Sequence, residues 1–325
     1  MNTTRSMAAA VGLAIAAGSL LPITALAEFP DKPIRIVVPY APGGGSDTLA
    51  RQLAERLRPR LGQPILIDNK VGANGIIGTD FVAKSPADGY TYVWVVGSHY
   101  INPLVTPKMP YHALNDFTGV TTVAVSPSVL VLKSDFPPSS VPELVALMRQ
   151  RDGRTWSYGS SESSSRLSGA KLMKSQDIEA VHIAYKGGAE VVAAIASGTV
   201  TTGFVSVATA RQLIVGGRLK ALAVTGDKRA PSLPDVQTFA ESGIKGFDQA
   251  TTTFMLLAPR NTPPVVLDRM QKEVAGVLHE PEMQAVLATV DAIGVGNSLA
   301  DFSKQMVRDF DYWTRAGQDA GLKVE

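Results

Sequence analysis

The run Ile34-Arg35-Ile36-Val37-Val38-Pro39-Tyr40-Ala41-Pro42-Gly43-Gly44-Gly45-Ser46-Asp47 decides how the rest of the chain is read. Its first five residues are mostly β-branched and lie between Pro33 and Pro39, the signature of a short strand. The glycine triplet lets the backbone turn sharply. After it, Leu49, Leu53, Leu57 and Leu61 recur four apart, as on one face of a helix with Ser46 or Asp47 as its N-cap. Strand, glycine loop and helix together open an α/β unit.

Similar units follow on both sides of a break. Ile65-Leu66-Ile67 and Thr91-Tyr92-Val93-Trp94-Val95-Val96 read as strands, with a helix over Ile76 to Lys84 between them. Continuous apolar runs alternating with helices predict a buried parallel sheet. Between Thr121 and Leu132 the pattern changes to two strand-like stretches around Ser126-Pro127-Ser128. A second alternating set then begins: a helix capped by Ser140 and Glu143, then Trp156-Ser157-Tyr158 and Val181-His182-Ile183-Ala184-Tyr185. A helix around Val191 to Ala196, a strand near Phe204 and the run Leu219 to Val224 complete it. An apolar strand near Thr251 to Pro259 leads into a mainly helical end, where Leu299, Phe302, Met306, Phe310 and Trp313 form a core stripe. The expected layout is residues 1–27 as a signal peptide and 28–125 as the first part of lobe 1. Lobe 2 is expected over 126–250, and lobe 1 again over 251–325. A chain that crosses twice between lobes suits hinge closure over a ligand.

The whole chain has 325 residues, 31 Lys+Arg against 29 Asp+Glu, and no Cys. That balance offers no polybasic footprint, so nucleic acid is not an expected partner. Without Cys there is no disulfide framework, no thiolate metal site and no lipid anchor. Arg5 is the only charge before Glu28, and the 22 residues from Ser6 to Ala27 are uncharged and mostly apolar. They end in Ala25-Leu26-Ala27, which predicts a cleavable secretory signal with the cut after Ala27 and a periplasmic destination.

Three loops share one character. Tyr40 to Asp47, Tyr158 to Arg166 and Tyr185-Lys186-Gly187-Gly188 each follow a strand and precede a helix. Free N–H groups at a helix start, glycines and hydroxyls suit an anion. Taken singly the second and third loops are as well explained by a plain loop or turn, the first less so; together they fit one ligand cleft at the carboxyl ends of the strands. The first loop is neither a dinucleotide fingerprint nor a phosphate loop, since the chain has no Gly-Lys pair. There is no Gly-x-Ser-x-Gly elbow, and His99, His112, His182 and His279 show no metal-ligand spacing, so neither metal nor cofactor is expected. His182, set among apolar neighbours, reads as structural. Ser168 and Lys171 match Ser-x-x-Lys and keep a Ser/Lys hydrolase open as the rival class.

The opening run resembles the start of mature Bug proteins, periplasmic solute receptors of tripartite tricarboxylate transporters. Further matches are Leu61-Gly62-Gln63-Pro64, Pro86-Ala87-Asp88-Gly89-Tyr90-Thr91, Ile101-Asn102-Pro103, Tyr158-Gly159-Ser160-Ser161, Leu233-Pro234-Asp235-Val236 and Leu256-Leu257-Ala258-Pro259. The resemblance implies a type II periplasmic binding fold: two α/β lobes joined by two crossing strands, with the ligand cleft between them. It implies a non-catalytic monomer that captures a small carboxylate for membrane subunits of the transporter, or senses it for a signalling partner. Carried over, Tyr40, Pro42, Gly43, Gly44, Ser46 and Asp47 form one wall. Ser160, Ser161, Ser164, Ser165, Tyr185, Lys186, Gly187 and Gly188 form the other, with Ser98 and His99 on the floor. Where relatives read Phe-Asp-Asn this chain has Phe204-Val205-Ser206, and Arg166 stands where His is common. Thr251 to Phe254 replaces a stretch that often holds Trp. These departures favour a ligand with two or more carboxylates over an amino acid.

Overall fold

The structure, a computed structural model, describes residues 29–106, 108–150, 155–185, 187–248 and 250–319. The expected signal peptide and Lys186 lie outside the described residues. In the first part of the chain β1 (Ile34–Val38), β2 (Ile65–Asn69), β3 (Thr91–Val95) and β4 (Phe117–Ser126) alternate with α1 (Gly45–Leu61), α2 (Ile76–Ala83) and α3 (Ser98–Val105). The second set comprises β5 (Ser128–Lys133), α4 (Val141–Met148), β6 (Trp156–Ser160), α5 (Ser163–Ser175) and β7 (Ala180–Ala184). It continues with α6 (Gly188–Ser197), β8 (Thr202–Ser206), α7 (Val207–Val215) and β9 (Leu219–Val224). The end is β10 (Thr252–Pro259), α8 (Pro264–Leu278), α9 (Pro281–Thr289), β11 (Ile293–Gly294) and α10 (Leu299–Asp319).

These strands make two sheets, ordered β11-β4-β10-β3-β1-β2 and β7-β6-β8-β5-β9, each the centre of one α/β lobe. The sheets are mixed, which corrects the all-parallel expectation. β1 lies parallel to β2 and β3, and β6 parallel to β7 and β8. β10 runs antiparallel to β3 and β4, and β5 antiparallel to β8 and β9. A parallel neighbour needs a crossover helix. Only Pro127 separates β4 from β5, so the chain crosses straight into the second sheet. The return passes beside it. Thr225 N–H donates to Ser128 O (2.8 Å), Ser128 N–H donates to Thr225 Oγ1 (2.9 Å), and Thr252 pairs with Ser126.

The helix stripes read from the sequence are the buried ones. Leu49, Leu53, Leu57 and Leu61 pack with Ile34, Ile36, Val38 and Trp94 in one core. Each such side chain contributes about 1.5–3 kcal/mol on burial. Phe302, Met306 and Trp313 of α10 are buried against the other face of that sheet. They come close because β4 carries Gly119, where a Cβ would lie 2.6 Å from both Met306 Sδ and Phe302 Cδ1. In the second lobe Phe204, Phe239 and Phe247 stack with ring centroids 4.3–5.8 Å apart. Among the described residues no helix is long and apolar enough to cross a membrane.

Candidate functional site

The strands β1 and β3 end on the same edge of the first sheet, and their loops form one wall. Helix α1 starts earlier than the sequence suggests. Gly44, extended at φ −73°, is its N-cap, and Asp47 sits inside the first turn. Asp47 is 3% exposed and points back into the loop, not out of it. Its carboxylate accepts from Gly43 N–H (2.9 Å), Arg51 Nε (3.0 and 3.1 Å) and Asn69 Nδ2 (2.9 Å). Burial alone would raise its pKa. The Arg51 guanidinium, the Gly43 amide and Asn69 outweigh that and hold the carboxyl below its ordinary range. Asp47 therefore shapes the loop, which corrects its assignment to the ligand wall. Gly43, at φ +78°, takes the left-handed turn that this inward bond requires. Pro42, Gly43 and Gly44 stay exposed and Ser46 half-buried. The first amides of α1 lie beside them, without intrahelical acceptors.

Tyr40 closes the base of this wall. Its hydroxyl accepts from Val96 N–H (3.0 Å) and lies 3.4 Å from Ser98 Oγ. Burial pushes its pKa up to about 12, so the phenol stays neutral. Ser98 and His99 are in the first turn of α3, not in a loop, and both are buried. His99 belongs to the core. Its Nε2 lies 2.8 Å from Ala113 O, and its ring stacks on Tyr111 with Tyr100 and Phe117 edge-on. It does not face the cleft.

That burial has a pH signature. Desolvation pushes the imidazole from 6.5 to about 4, against a smaller upward pull from Ala113 O. The unfolded chain binds the proton more readily, so the contribution is complete above pH 6.5 and is lost as pH falls toward 4. About 2 kcal/mol should be gone at pH 5. Urea unfolding of His99→Phe at pH 7 and pH 5 should show that much less acid loss than the parent; equal losses would refute the assignment.

The second wall comes from the ends of β6, β7 and β8. Ser160 is buried at the end of β6, its hydroxyl 2.7 Å from His182 Nε2 on β7. The histidine read as structural thus orients the Ser160 hydroxyl. Ser165 is turned inward: its Oγ donates to Glu162 O (3.0 Å) and accepts from Glu162 N–H (3.3 Å). It caps α5, a correction to its place on the wall. Ser161 and Ser164 are half-buried at the start of α5, with Arg166 also half-buried one turn on. Tyr185 N–H donates to Ser160 O (2.8 Å), and Gly187 is the N-cap of α6. Ser206 caps α7, accepting from Thr209 N–H (3.3 Å). Thr209 in turn lies where a Cβ on Gly188 would touch it at 3.2 Å, so Gly188 and Ser206 are brought together.

The walls meet through a residue the sequence reading passed over. Asn74 Nδ2 donates to Asn102 Oδ1 (2.8 Å) in lobe 1 and to Ser163 Oγ (3.0 Å) on α5. Asn102 answers by donating to Asn74 O (3.1 Å). Ala73 and Asn74 both hold positive φ, at 46° and 52°, between Gly72 and Gly75. Gly72-Ala73-Asn74-Gly75 follows β2 and precedes α2, the same strand–glycine–helix signal that marked the other loops. On the same helix as Ser163, Leu167 packs into the core cluster of Tyr100, Ile101 and Trp313. Lys171, the base of the rival hydrolase reading, donates to Gly246 O (2.5 Å) and Tyr312 Oη (3.2 Å). Its ammonium straps α5 to α10. A surface cavity of about 450 Å³ lined by Met109, Tyr111, His112 and Phe310 lies outside this cleft.

Chemically the cleft offers neutral donors: the N-terminal amides of α1, α5 and α6, and hydroxyls. Donors of this kind hold an anion without a fully desolvated ion pair, whose burial is costly. Two α/β lobes crossed twice by the chain, and tied together near helix starts by Asn74 and Ser163, have the architecture of a bilobal solute-binding protein of the periplasmic class. Residues 49–318 match the model of the tripartite tricarboxylate transporter family receptor, and the chain belongs to that family. Protein BugT of Bordetella pertussis (strain Tohama I) is 32% identical over the full length of both chains. Among solved structures, R. palustris Rpa4515 with adipate is 32% identical, with a TM-score of 0.80 over 91% of this chain and 100% of that one. MatC (Rpa3494) from Rhodopseudomonas palustris with bound malate is 26% identical, with a TM-score of 0.75 over 89% of this chain and 99% of that one.

Proposed function

We propose that this protein is an exported receptor that captures a small carboxylate between its lobes and passes it to membrane subunits of a tripartite transporter. The observation that supports this best is that glycine- and serine-rich loops open helices in both lobes, with Asn74 reaching Ser163 between them. Family membership, and the adipate and malate held by two structural neighbours, support the carboxylate class. In this reading the wall consists of Tyr40, Pro42, Gly43, Gly44, Ser46, Ser98, Ser160, Ser161, Ser164, Arg166, Tyr185, Lys186, Gly187, Gly188 and Ser206. Asn74 and Ser163 hold it shut. The chain is cut after Ala27 and works in the periplasm as a monomer, without catalysis.

Binding to the folded state alone stabilises it by mass action, by about 2.7 kcal/mol at one hundred times the dissociation constant. A thermal-shift panel of citrate, C4–C6 diacids, aromatic diacids and amino acids should therefore raise the melting temperature by several degrees for at least one carboxylate. A panel without any shift would sink the carboxylate reading.

A further inference from the structure

Leu167 belongs to α5, a helix of lobe 2, yet it is buried in the core of lobe 1. It is 1% exposed, and every other described member of its cluster, Tyr100, Ile101, Met255, Phe302 and Trp313 among them, comes from lobe 1. The opposite side of α5 packs at home: Leu172 and Met173 lie in the lobe 2 core with Tyr158 and Phe204. The helix meets lobe 1 at Ser163, Leu167 and Lys171, four residues apart and so on one stripe. At the cleft end Ser163 Oγ accepts from Asn74 Nδ2 (3.0 Å). At the other end the Lys171 ammonium donates to Gly246 O (2.5 Å) and to Tyr312 Oη on α10 (3.2 Å), and Tyr312 Oη donates to the same carbonyl (3.0 Å).

The two ends of this stripe are not equivalent. Gly246 adjoins the crossing between the lobes. Its neighbour Phe247 accepts through its carbonyl from Gly226 N–H (2.9 Å), beside Thr225, which bonds Ser128 where the chain enters lobe 2. The Lys171 end therefore sits at the hinge, whereas Ser163 lies about 12 Å away along the helix. Opening the cleft swings Ser163 furthest and lifts Leu167 from its socket, exposing apolar surface on both sides. Tyr100 and Ile101 of that socket lie on α3, which also carries Ser98 and Asn102, the partner of Asn74. We propose that Leu167 sets how long a captured carboxylate is held: α5 rocks about its Lys171 end, and Leu167 seated in lobe 1 opposes reopening. The inference rests on the carboxylate-capture reading and assigns part of ligand retention to a side chain outside the ligand wall.

Stopped-flow release of adipate, malate and citrate from the folded protein tests it, with urea unfolding run alongside. The acid that binds the parent best should leave Leu167→Ala about tenfold faster or more, while its association rate stays within about threefold. Leu167→Val should release it about threefold faster, and it decides the matter if the alanine variant does not fold. Leu167→Met, close in volume, should remain parent-like. Tyr312→Phe, at the hinge end, should lower the unfolding midpoint yet leave release within about twofold. Unchanged release in the Ala and Val variants, whatever their loss of stability, would make Leu167 a static core residue and overturn the inference while leaving carboxylate capture standing. So would a Tyr312→Phe variant that releases as fast as Leu167→Ala, because the Lys171 end would then part with the rest. If no acid of the wider panel binds the parent, capture itself is wrong and the inference goes with it.

Discussion

Asp47→Ala is expected to lower the unfolding free energy by about 3 kcal/mol, the range for hydrogen bonds to a buried charged group. It should also unfasten the glycine loop. The side chain is nearly inaccessible, and it gathers donors from three places: the loop at Gly43, the next helical turn at Arg51 and the end of β2 at Asn69. Removing it leaves the Gly43 amide without its acceptor. The Asn69 amide keeps only Tyr40 O, at 3.1 Å. Arg51 is half-exposed, so water replaces much of what it loses, and the cost stays below that of breaking a fully buried pair. The acid dependence has a definite sign. A carboxyl held below its ordinary pKa adds stability that is complete above the unfolded value, near 4, and is lost as pH falls through the folded value. Urea unfolding at pH 7 should show the lower midpoint, and hydrogen exchange should show the Gly43 amide exposed. An unchanged midpoint with a protected Gly43 amide would contradict this account.

Asp47 also shows what a single sequence withholds. The strands, the leucine stripe of α1 and the α10 stripe were legible because burial of a face imposes a period on the residues. The crossings were legible at Ser126-Pro127-Ser128, where a proline interrupts apolar runs. The direction of a polar side chain at a helix start was not. Asp47 and Ser165 turn inward to bond their own backbone or the loop, while Ser46 and Ser164 stay partly open. The same residue types serve both purposes at such positions. His99 was misplaced for a related reason. A histidine beside an expected ligand loop reads as polar, whereas α3 begins one residue earlier and carries it into an aromatic core. Asn74 left a signal, the Gly-Ala-Asn-Gly run after β2, but its partner Ser163 is 89 residues away and only the fold joins them.

Gly203→Val is expected to cost about 3–4 kcal/mol, the upper end for overpacking, and to weaken ligand binding about tenfold, or 1.4 kcal/mol. Gly203 on β8 pairs directly with Gly159 on β6. A Cβ there would lie 2.8 Å from Gly159 O, 3.1 Å from Ile195 Cδ1 and 3.2 Å from Val191 Cγ1. The first of these is the backbone of a neighbouring strand, which cannot swing aside as a side-chain tip can. At Gly159 a Cβ would meet Val191 Cγ1 at 3.2 Å and Tyr185 Cε2 at 3.3 Å. The two bare positions let α6 rest directly on the sheet, and that contact fixes where its first turn, Gly187 and Gly188, meets the cleft. Pushing the helix off the sheet moves the second wall as well as loosening the core. Gly187→Ala separates the two effects, since Gly187 is extended and has open space where a Cβ would stand. It should leave stability within about 0.5 kcal/mol. Gly203→Val should lower both the lobe 2 unfolding midpoint and the ligand affinity. Parent-like affinity in a destabilised Gly203→Val would show that α6 does not position the cleft.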